Sequence, residues 1–342
     1  MQFSKATLVI LSLSLLVLLF ALPVTIPSGA VTNAAQQQYE ESMSYDELSD
    51  AADVLRANWG KLDFIASAAM SDILPANDIS PLPLDNSPGR APIEENFTEA
   101  GYRDDTIIVE MEKKRMFDSD VFVAYVKIAT PSQLRTTYAG TELGSTRTNL
   151  TSRLSANYHG IVAVNGDYYA KTKAGYIVRQ GETYREKTSD NMDLLFIDEM
   201  GDFHIFLRGH DAQKAAIKEY QENHEIMNGF FFGPALVVDG QVQEIPKKYE
   251  FDPHAKNPRA AIGQTGPLTY VVVAVNGRMK DSAGVTATQL AEIMKELDCE
   301  QAYNLDGGNS ATLAFHGAVY NDKPQDERSV TDIIYFATAT EQ

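Results

Sequence analysis

Short apolar runs that stop at asparagine and glycine recur through this chain, and they limit its fold more than any other feature. VAVNGDYY (162–169), IMNGFFFGPAL (226–236), VAVNGRMKDSAG (273–284) and AYNLDGGNSAT (302–312) each set a few apolar residues directly before an Asn and a group of small or polar residues. Runs this short cannot form a helical face, and Asn and Gly interrupt regular structure, so each reads as a strand ending in a turn. A chain built this way is a sheet protein with several strand ends free to carry chemistry.

The remaining pattern extends that reading. TIIVEME (106–112) and DVFVAYVKIA (120–129) are strands, DLLFIDEMGDFHIFL (193–207) is a hairpin about Met200-Gly201, and ATLAFHGAVYND (311–322) is one about His316-Gly317. SVTDIIYFATAT (329–340) is a closing strand. Helices are expected over NLTSRLSANY (149–158), over Asp211 to Asn223, and over TATQLAEIMKEL (286–297), where Thr286 is placed to cap. Hairpins mixed with helices indicate an α+β fold with mixed or antiparallel sheets and flanking helices, rather than a doubly wound parallel sheet.

Ahead of this body, residues 1–30 combine Lys5, an apolar run from 6 to 26 and small residues at Ser28 and Ala30, the pattern of an export signal. Cleavage is favoured, and an uncleaved run would be a membrane anchor. Residues 31–74 read as a helical segment, with Ser44 as cap and Leu48, Ala52, Leu55 and Trp59 in helical spacing. Residues 75–95 carry prolines at 75, 81, 83, 88 and 92 and read as a linker, leaving 96–342 as a single domain. The expected location is extracellular or at the cell surface.

A formal net charge of −18 argues against nucleic acid and anionic lipid as partners. Cys299 is the sole cysteine, so no intramolecular disulfide exists; following an amphipathic helix and preceding an apolar run, it reads as a small buried hydrophobe. The six histidines, at 159, 204, 210, 224, 254 and 316, show no metal-ligand spacing, and no Walker A loop, GxGxxG turn, HExxH helix or CxxC pair is present.

Taken singly, each Asn-Gly is an ordinary hairpin turn. Together they suggest a shared site: Asn165, Gly166 and Asp167 at one strand end, Asn228 at another, and Asn304, Asp306, Gly307, Gly308, Asn309, Ser310 and Thr312 at a third. Glycines there let backbone N–H groups approach an anion. Arg259, before an apolar strand, suits bidentate phosphate or carboxylate recognition, with a surface salt bridge as the equal alternative; Arg328 is similarly ambiguous.

The succession AVNGDYY, NGFFFGPALVVDG, NPRAAIGQTG, AGVTATQLAEIMKELDCEQAYNLDGGNSATL and RSVTDIIYF resembles the phosphodiester glycosidase family, relatives of the mammalian uncovering enzyme that removes N-acetylglucosamine from mannose 6-phosphate diesters. Bacterial members are often labelled exopolysaccharide biosynthesis proteins. The resemblance spans about 106–340 and is most specific at Asp306-Gly307-Gly308-Asn309-Ser310. The family's usual Asn-Gly-Gly-Phe-Phe stands here as Asn165-Gly166-Asp167-Tyr168-Tyr169, and Asn309 replaces a third glycine of many members.

The resemblance implies a hydrolase that cleaves a sugar-1-phosphodiester in a phosphorylated glycan. Asp306 would activate water or stabilise an oxocarbenium-like transition state, and Asp167 would be its partner or a sugar or metal ligand. Arg259 would hold the phosphate, Asn165, Asn228 and Asn304 would orient sugar hydroxyls, and Ser310 and Thr312 would bind phosphate oxygens. Gly166, Gly307, Gly308 and Asn309 would complete the substrate-binding surface. The motifs call for no particular cofactor and leave a metal open; carboxylates and amides of this kind would suit Ca²⁺ or Mg²⁺ rather than zinc. Two other readings compete: a serine hydrolase built on GNSAT (308–312), and a carbohydrate-binding or exopolysaccharide-assembly protein without turnover.

Overall fold

The computed structural model describes residues 79–323 and 326–339; the expected export signal, the helical segment and the start of the proline-rich stretch lie outside them. Every strand pairing among the described residues is antiparallel. A nine-stranded sheet runs, in spatial order, Phe97–Thr98, Gly101–Arg103, Ile107–Met116, Ser119–Ile128, Thr269–Val275, Arg259–Gly266, Gln301–Leu305, Ala235–Val238 and Gln241–Val242. One five-stranded sheet runs Phe203–Phe206, Leu194–Asp198, Ile226–Phe230, Gly175–Arg179, Glu182–Lys187. The other runs Ala318–Val319, Leu313–Phe315, Val162–Asn165, Asp332–Phe336, Leu134–Tyr138.

The layers follow from period-two alternation. In Ser119–Ile128, Phe122, Ala124, Val126 and Ile128 join a core shared with both five-stranded sheets, while Val121, Val123 and Tyr125 join a second core on the opposite face. Thr269–Val275 divides the same way, with Tyr270, Val272 and Ala274 inward and Val271, Val273 and Val275 outward. Burial on both faces explains why these strands read as continuous apolar runs.

Among the described residues three α-helices close the outer faces: α1 (Thr151–Asn157), α2 (His210–Tyr220) and α3 (Ala287–Glu296). Thr286 caps α3 through a capping box with Gln289, as its position in the sequence predicts. Leu290, Ile293 and Met294 of α3 are fully buried in the outer core, each side chain worth roughly 1.5–3 kcal/mol of burial. α2 ends at Tyr220, three residues short of the expected helix.

Beyond the short strands Phe97–Thr98, Gly101–Arg103 and Gln241–Val242, two elements were hidden in the sequence. Leu134–Tyr138, LRTTY, lacks an apolar stripe, yet all five residues are buried, since its polar side chains find partners inside. The Arg135 guanidinium is one: it donates to Tyr335 Oη (3.0 Å) and to the carbonyls of Pro83, Asp85 and Ser87. Those carbonyls belong to the proline-rich stretch, which from residue 79 on is fastened to the body instead of hanging free, with Ile79 and Leu82 buried and Arg90 bridged to Thr338. A proline-rich backbone keeps its carbonyls unpaired, and a buried guanidinium supplies the donors. The second hidden element is the hairpin Gly175–Arg179 and Glu182–Lys187, whose outer strand is polar and mostly exposed.

Cys299 lies just beyond α3 with no exposed surface. Its thiol should therefore resist a disulfide reagent in native buffer and react fully after denaturation; fast native labelling would contradict this packing.

Candidate active site

Strand ends converge at one edge of the nine-stranded sheet. The register sets Arg259 opposite Val275 and Ala260 opposite Leu305, so the start of one strand lies between the ends of its neighbours. Asn276-Gly277-Arg278 leaves one end and Asp306-Gly307-Gly308 the other. The strand Val162–Asn165, from a different sheet, is tied to the same edge by side-chain bonds. Asn165 Nδ2 donates to the carbonyls of Asp306 (2.7 Å) and Gly166 (3.1 Å), and its Oδ1 accepts from the N–H of Thr312 (3.1 Å). AVNG and LDGGNSAT thus form one unit.

An open cleft of about 300 Å³ lies over this junction. Its charged lining is three guanidiniums, Arg259, Arg278 and Arg328, and one carboxylate, Asp306. Phe232 and Phe251, stacked at 4.3 Å between ring centroids, form an apolar wall, and Asn257, Asn309, Gly307 and Gly308 complete it. Gly308, at φ 60, makes the turn that brings this loop beside Arg278.

Arg259 is 3 % exposed and is held by three carbonyls: Nε donates to Val285 (3.2 Å), and Nη2 to Asp252 and Ala255 (2.9 Å each). Burial pushes its pKa down to about 10, the charge of Arg278 acting in the same direction and Asp252 against it. Arg278 is engaged by the neutral amides of Asn257 and Asn309. Arg328 lies 5.9 Å from the Tyr168 ring centroid. Among the described residues none of the three is in an ion pair with a carboxylate, in a chain whose net charge is −18. Uncompensated cations converging on a cleft make a site for an anion.

Asp306 is half-buried, and that burial pushes its carboxyl up to about 6. A hydrogen bond from the Ser310 side chain, the charge of Arg328 and the Gly307 backbone oppose the rise, while the charge of Asp167 adds to it. A carboxyl poised near neutrality beside a cleft is suited to proton transfer.

Beneath the cleft lies a charge cluster that sequence reasoning missed. Arg179 is fully buried and lies between Asp332, reached by Nε (2.9 Å) and Nη2 (2.6 Å), and Asp167, 3.1 Å from Nη2. It also donates to the carbonyls of Val178 and Gly229 and packs 4.2 Å from the Phe230 ring centroid. Asp167 accepts further from the N–H groups of Tyr169 (3.0 Å) and Phe231 (2.8 Å). A Cβ on Gly166 would intrude on the Asp332 carboxylate, which is what requires glycine there.

The expected site residues therefore separate. Asp306, Gly307, Gly308, Asn309 and Arg259 line the cleft, with Ser310 hydrogen-bonded to Asp306 from below. Asp167 is not a free carboxylate at the surface: it is 3 % exposed and bonded to Arg179 and two backbone N–H groups. Asn165 is spent on joining loops, and Asn304 Nδ2 donates to the Gly233 carbonyl (2.6 Å). The Thr312 hydroxyl is likewise engaged, donating to the Ser310 carbonyl (2.9 Å) and accepting from Lys323 Nζ (2.6 Å). Asn228 is a correction: it sits within a strand, where its Oδ1 accepts from Thr136 Oγ1 (2.7 Å) and Gln180 N–H (3.0 Å), and it borders a different hollow. Its Asn-Gly is a strand interior, not a strand end. GNSAT continues into a single 3₁₀ turn and a strand rather than the helix of a serine-hydrolase elbow. Arg278 and Arg328 were visible in sequence as cations near these turns; Phe232, Phe251 and Asn257 carried no signal.

Comparison with known proteins adds to this geometry. The phosphodiester glycosidase family matches residues 158–337. The catalytic domain of zebrafish N-acetylglucosamine-1-phosphodiester alpha-N-acetylglucosaminidase, auto-inhibited by its pro-peptide, is similar in fold at a TM-score of 0.53 and 19% identity, covering 68% of this chain and 83% of that one. The SPbeta prophage-derived uncharacterized protein YomE of Bacillus subtilis (strain 168) is 35% identical over 108 residues, 31% of this chain and 17% of its own length. The match thus spans under a fifth of that relative.

The raised pKa of Asp306 has a thermodynamic consequence. Its folded-state value, about 6, lies above the roughly 3.9 of an unfolded chain, so the folded state holds the proton more tightly and loses stability as pH rises from about 4 to 6. Asp306→Asn should then stabilise the protein at pH 7, by roughly 1–2 kcal/mol after discounting for solvent screening, and bring little gain at pH 4. Denaturant unfolding at both pH values measures the difference, and an Asn variant that is less stable at pH 7 would overturn the electrostatic account.

Proposed function

The chain belongs to the phosphodiester glycosidase family, and from that premise we propose that it hydrolyses a sugar-1-phosphodiester, acting outside the cytoplasm on a phosphorylated glycan of the cell envelope or its surroundings. The observation that supports this most directly is one carboxylate, Asp306, facing three guanidiniums that lack a carboxylate partner among the described residues.

In this reading a phosphodiester enters the cleft with its charged oxygens at Arg259 and Arg278. The sugar ring lies against the apolar wall of Phe232 and Phe251, a surface suited to the C–H face of a pyranose. Asp306 takes a proton from water as the water oxygen bonds to the anomeric carbon. The bond from that carbon to the phosphate oxygen breaks, and its electron pair leaves with the phosphate. The products are free sugar and a phosphomonoester, which carries more charge than the diester. The guanidiniums therefore interact more strongly as the bond breaks than in the ground state, and that difference is what lowers a barrier. Because the leaving phosphate needs no proton, one ionisable carboxylate in the cleft suffices. Asp167 shapes the field from below, without touching the substrate.

Incubation with a sugar-1-phosphodiester should release free sugar and phosphomonoester, and incubation with a UDP-sugar should release free sugar and UDP; saturable binding with no product would instead favour the carbohydrate-binding reading. Asp306→Asn should lower kcat by about 10²–10⁴ with little change in KM. As a base, Asp306 must be ionised, so kcat/KM of the wild type should fall as pH drops below about 6. Full activity in the Asn variant, or a rate that increases as pH falls through that value, would remove Asp306 as base. Separately, Arg259→Lys should weaken diester binding roughly tenfold or more while leaving affinity for the free sugar nearly unchanged, because a lysine cannot reproduce a guanidinium fork; equal losses for both ligands would argue against phosphate contact at Arg259.

A further inference from the structure

On the far side of one five-stranded sheet, the fold gathers residues that lie apart in sequence. Asp198 and Glu199 end the strand Leu194–Asp198 and open its hairpin turn; His224 follows α2, just before the strand Ile226–Phe230. None of them lines the cleft around Asp306.

We propose that Asp198 Oδ2, Glu199 Oε1 and His224 Nδ1 form a site for a divalent transition metal of the zinc type. Three observations carry it. His224 Nδ1 is buried and has no hydrogen-bond partner. It lies 3.5 Å from Asp198 Oδ2 and 3.6 Å from Glu199 Oε1, too long for good hydrogen bonds. Ligand atoms around a tetrahedral ion with bonds of about 2.0–2.2 Å are about 3.3–3.6 Å apart, so these are the separations a shared ion produces. All three ligand atoms lie within 4.8 Å of one another.

The surroundings hold each ligand in that orientation. Asp198 Oδ1 accepts from the N–H groups of Met200 and Asp202 (2.9 Å each), which fixes the carboxylate with Oδ2, itself hydrogen-bonded, 3.5 Å from His224 Nδ1. Glu199 Oε2 accepts from the N–H of Glu225 (2.8 Å), which leaves Oε1. Tyr220 donates to Asp198 Oδ2 (2.7 Å) and its ring stacks on the His224 imidazole at 4.4 Å, fixing the ring plane. His204 Nε2 is 3.2 Å from the same oxygen. Carboxylates and an imidazole oriented by outer hydrogen bonds are the usual construction of a metal site. The presence of an imidazole favours a zinc-type ion over Ca²⁺ or Mg²⁺, which take oxygen ligands.

An ion here would tie the end of α2 to the adjoining hairpin turn, a role separate from hydrolysis in the cleft. The test uses the whole chain without a histidine tag, titrated calorimetrically with ZnCl₂ and CaCl₂, and with CoCl₂ followed by visible absorption. The expected result is one Zn²⁺ per chain, Co²⁺ bands of a low-coordinate site, a higher melting temperature with Zn²⁺, and at least a tenfold loss of Zn²⁺ affinity in both His224→Ala and Glu199→Gln. Circular dichroism of each variant verifies the fold, and Glu199, partly exposed, is the gentler change. No saturable Zn²⁺ uptake, uptake unaffected by both variants, or binding of Ca²⁺ in preference to Zn²⁺ would each overturn the proposal, whatever the chain does to a phosphodiester.

Discussion

The buried guanidinium of Arg179 is the interaction on which the candidate site rests. It comes from the last residue of Gly175–Arg179 in one five-stranded sheet and bonds to Asp332, the first residue of Asp332–Phe336 in the other. Its second carboxylate, Asp167, follows Val162–Asn165 and in turn receives the N–H of Phe231. One cation therefore joins both smaller sheets and the loop that enters the aromatic wall at Phe232. Removing one partner of such a buried set costs about 3–5 kcal/mol, because a charge is left without compensation. The separation of Asp332 and Gly166 depends on the same fit.

Above that floor, the distribution of charge is unusual for so acidic a chain. Acidic side chains outnumber basic ones, 47 to 29, and surface cations such as Lys113 and Arg115 are paired with them. In the cleft the pairing stops. Arg259 is held by carbonyls and Arg278 by amides, groups that orient a guanidinium without neutralising it. A buried cation without a counter-ion costs stability, and its pKa falls accordingly. An anionic substrate would offset this cost on binding, which favours phosphodiesters over neutral glycosides.

The sequence made the strands legible where apolar residues alternate or run continuously, as in Ser119–Ile128, and the α+β class followed from them. It also made the Asp306 loop legible, since a carboxylate, paired glycines and small polar residues after a strand have few structural uses. It could not distinguish among the asparagines. Asn165, Asn228 and Asn304 share one local pattern, yet Asn165 joins two loops, Asn304 bonds to the Gly233 carbonyl and Asn228 supports a strand interior. Which of these an amide does depends on partners up to 147 residues away. Arg179 and Asp332 were hidden for the same reason: each sits at the end of an ordinary strand, and only the packing of two sheets makes them neighbours. His224 and Asp198 were separated by a hairpin and a helix, so no ligand spacing could register.

The floor and the reactive carboxylate are not independent. Arg179 carries one positive charge and faces two carboxylates, so its cluster cannot be neutral while both are ionised. Burial raises the pKa of Asp332, with Asp167 adding to the rise and Arg179 opposing it. The charge of Asp167 also acts on Asp306, in the direction that raises it. Burial of Asp306 is the largest cause of its raised pKa, and the charge of Asp167 adds a smaller rise to it. The second carboxylate thus does more than pack: its negative charge adds to the effect of burial on Asp306. The cluster that fixes the geometry of the site therefore also contributes to its basicity, in the same direction as the burial of Asp306.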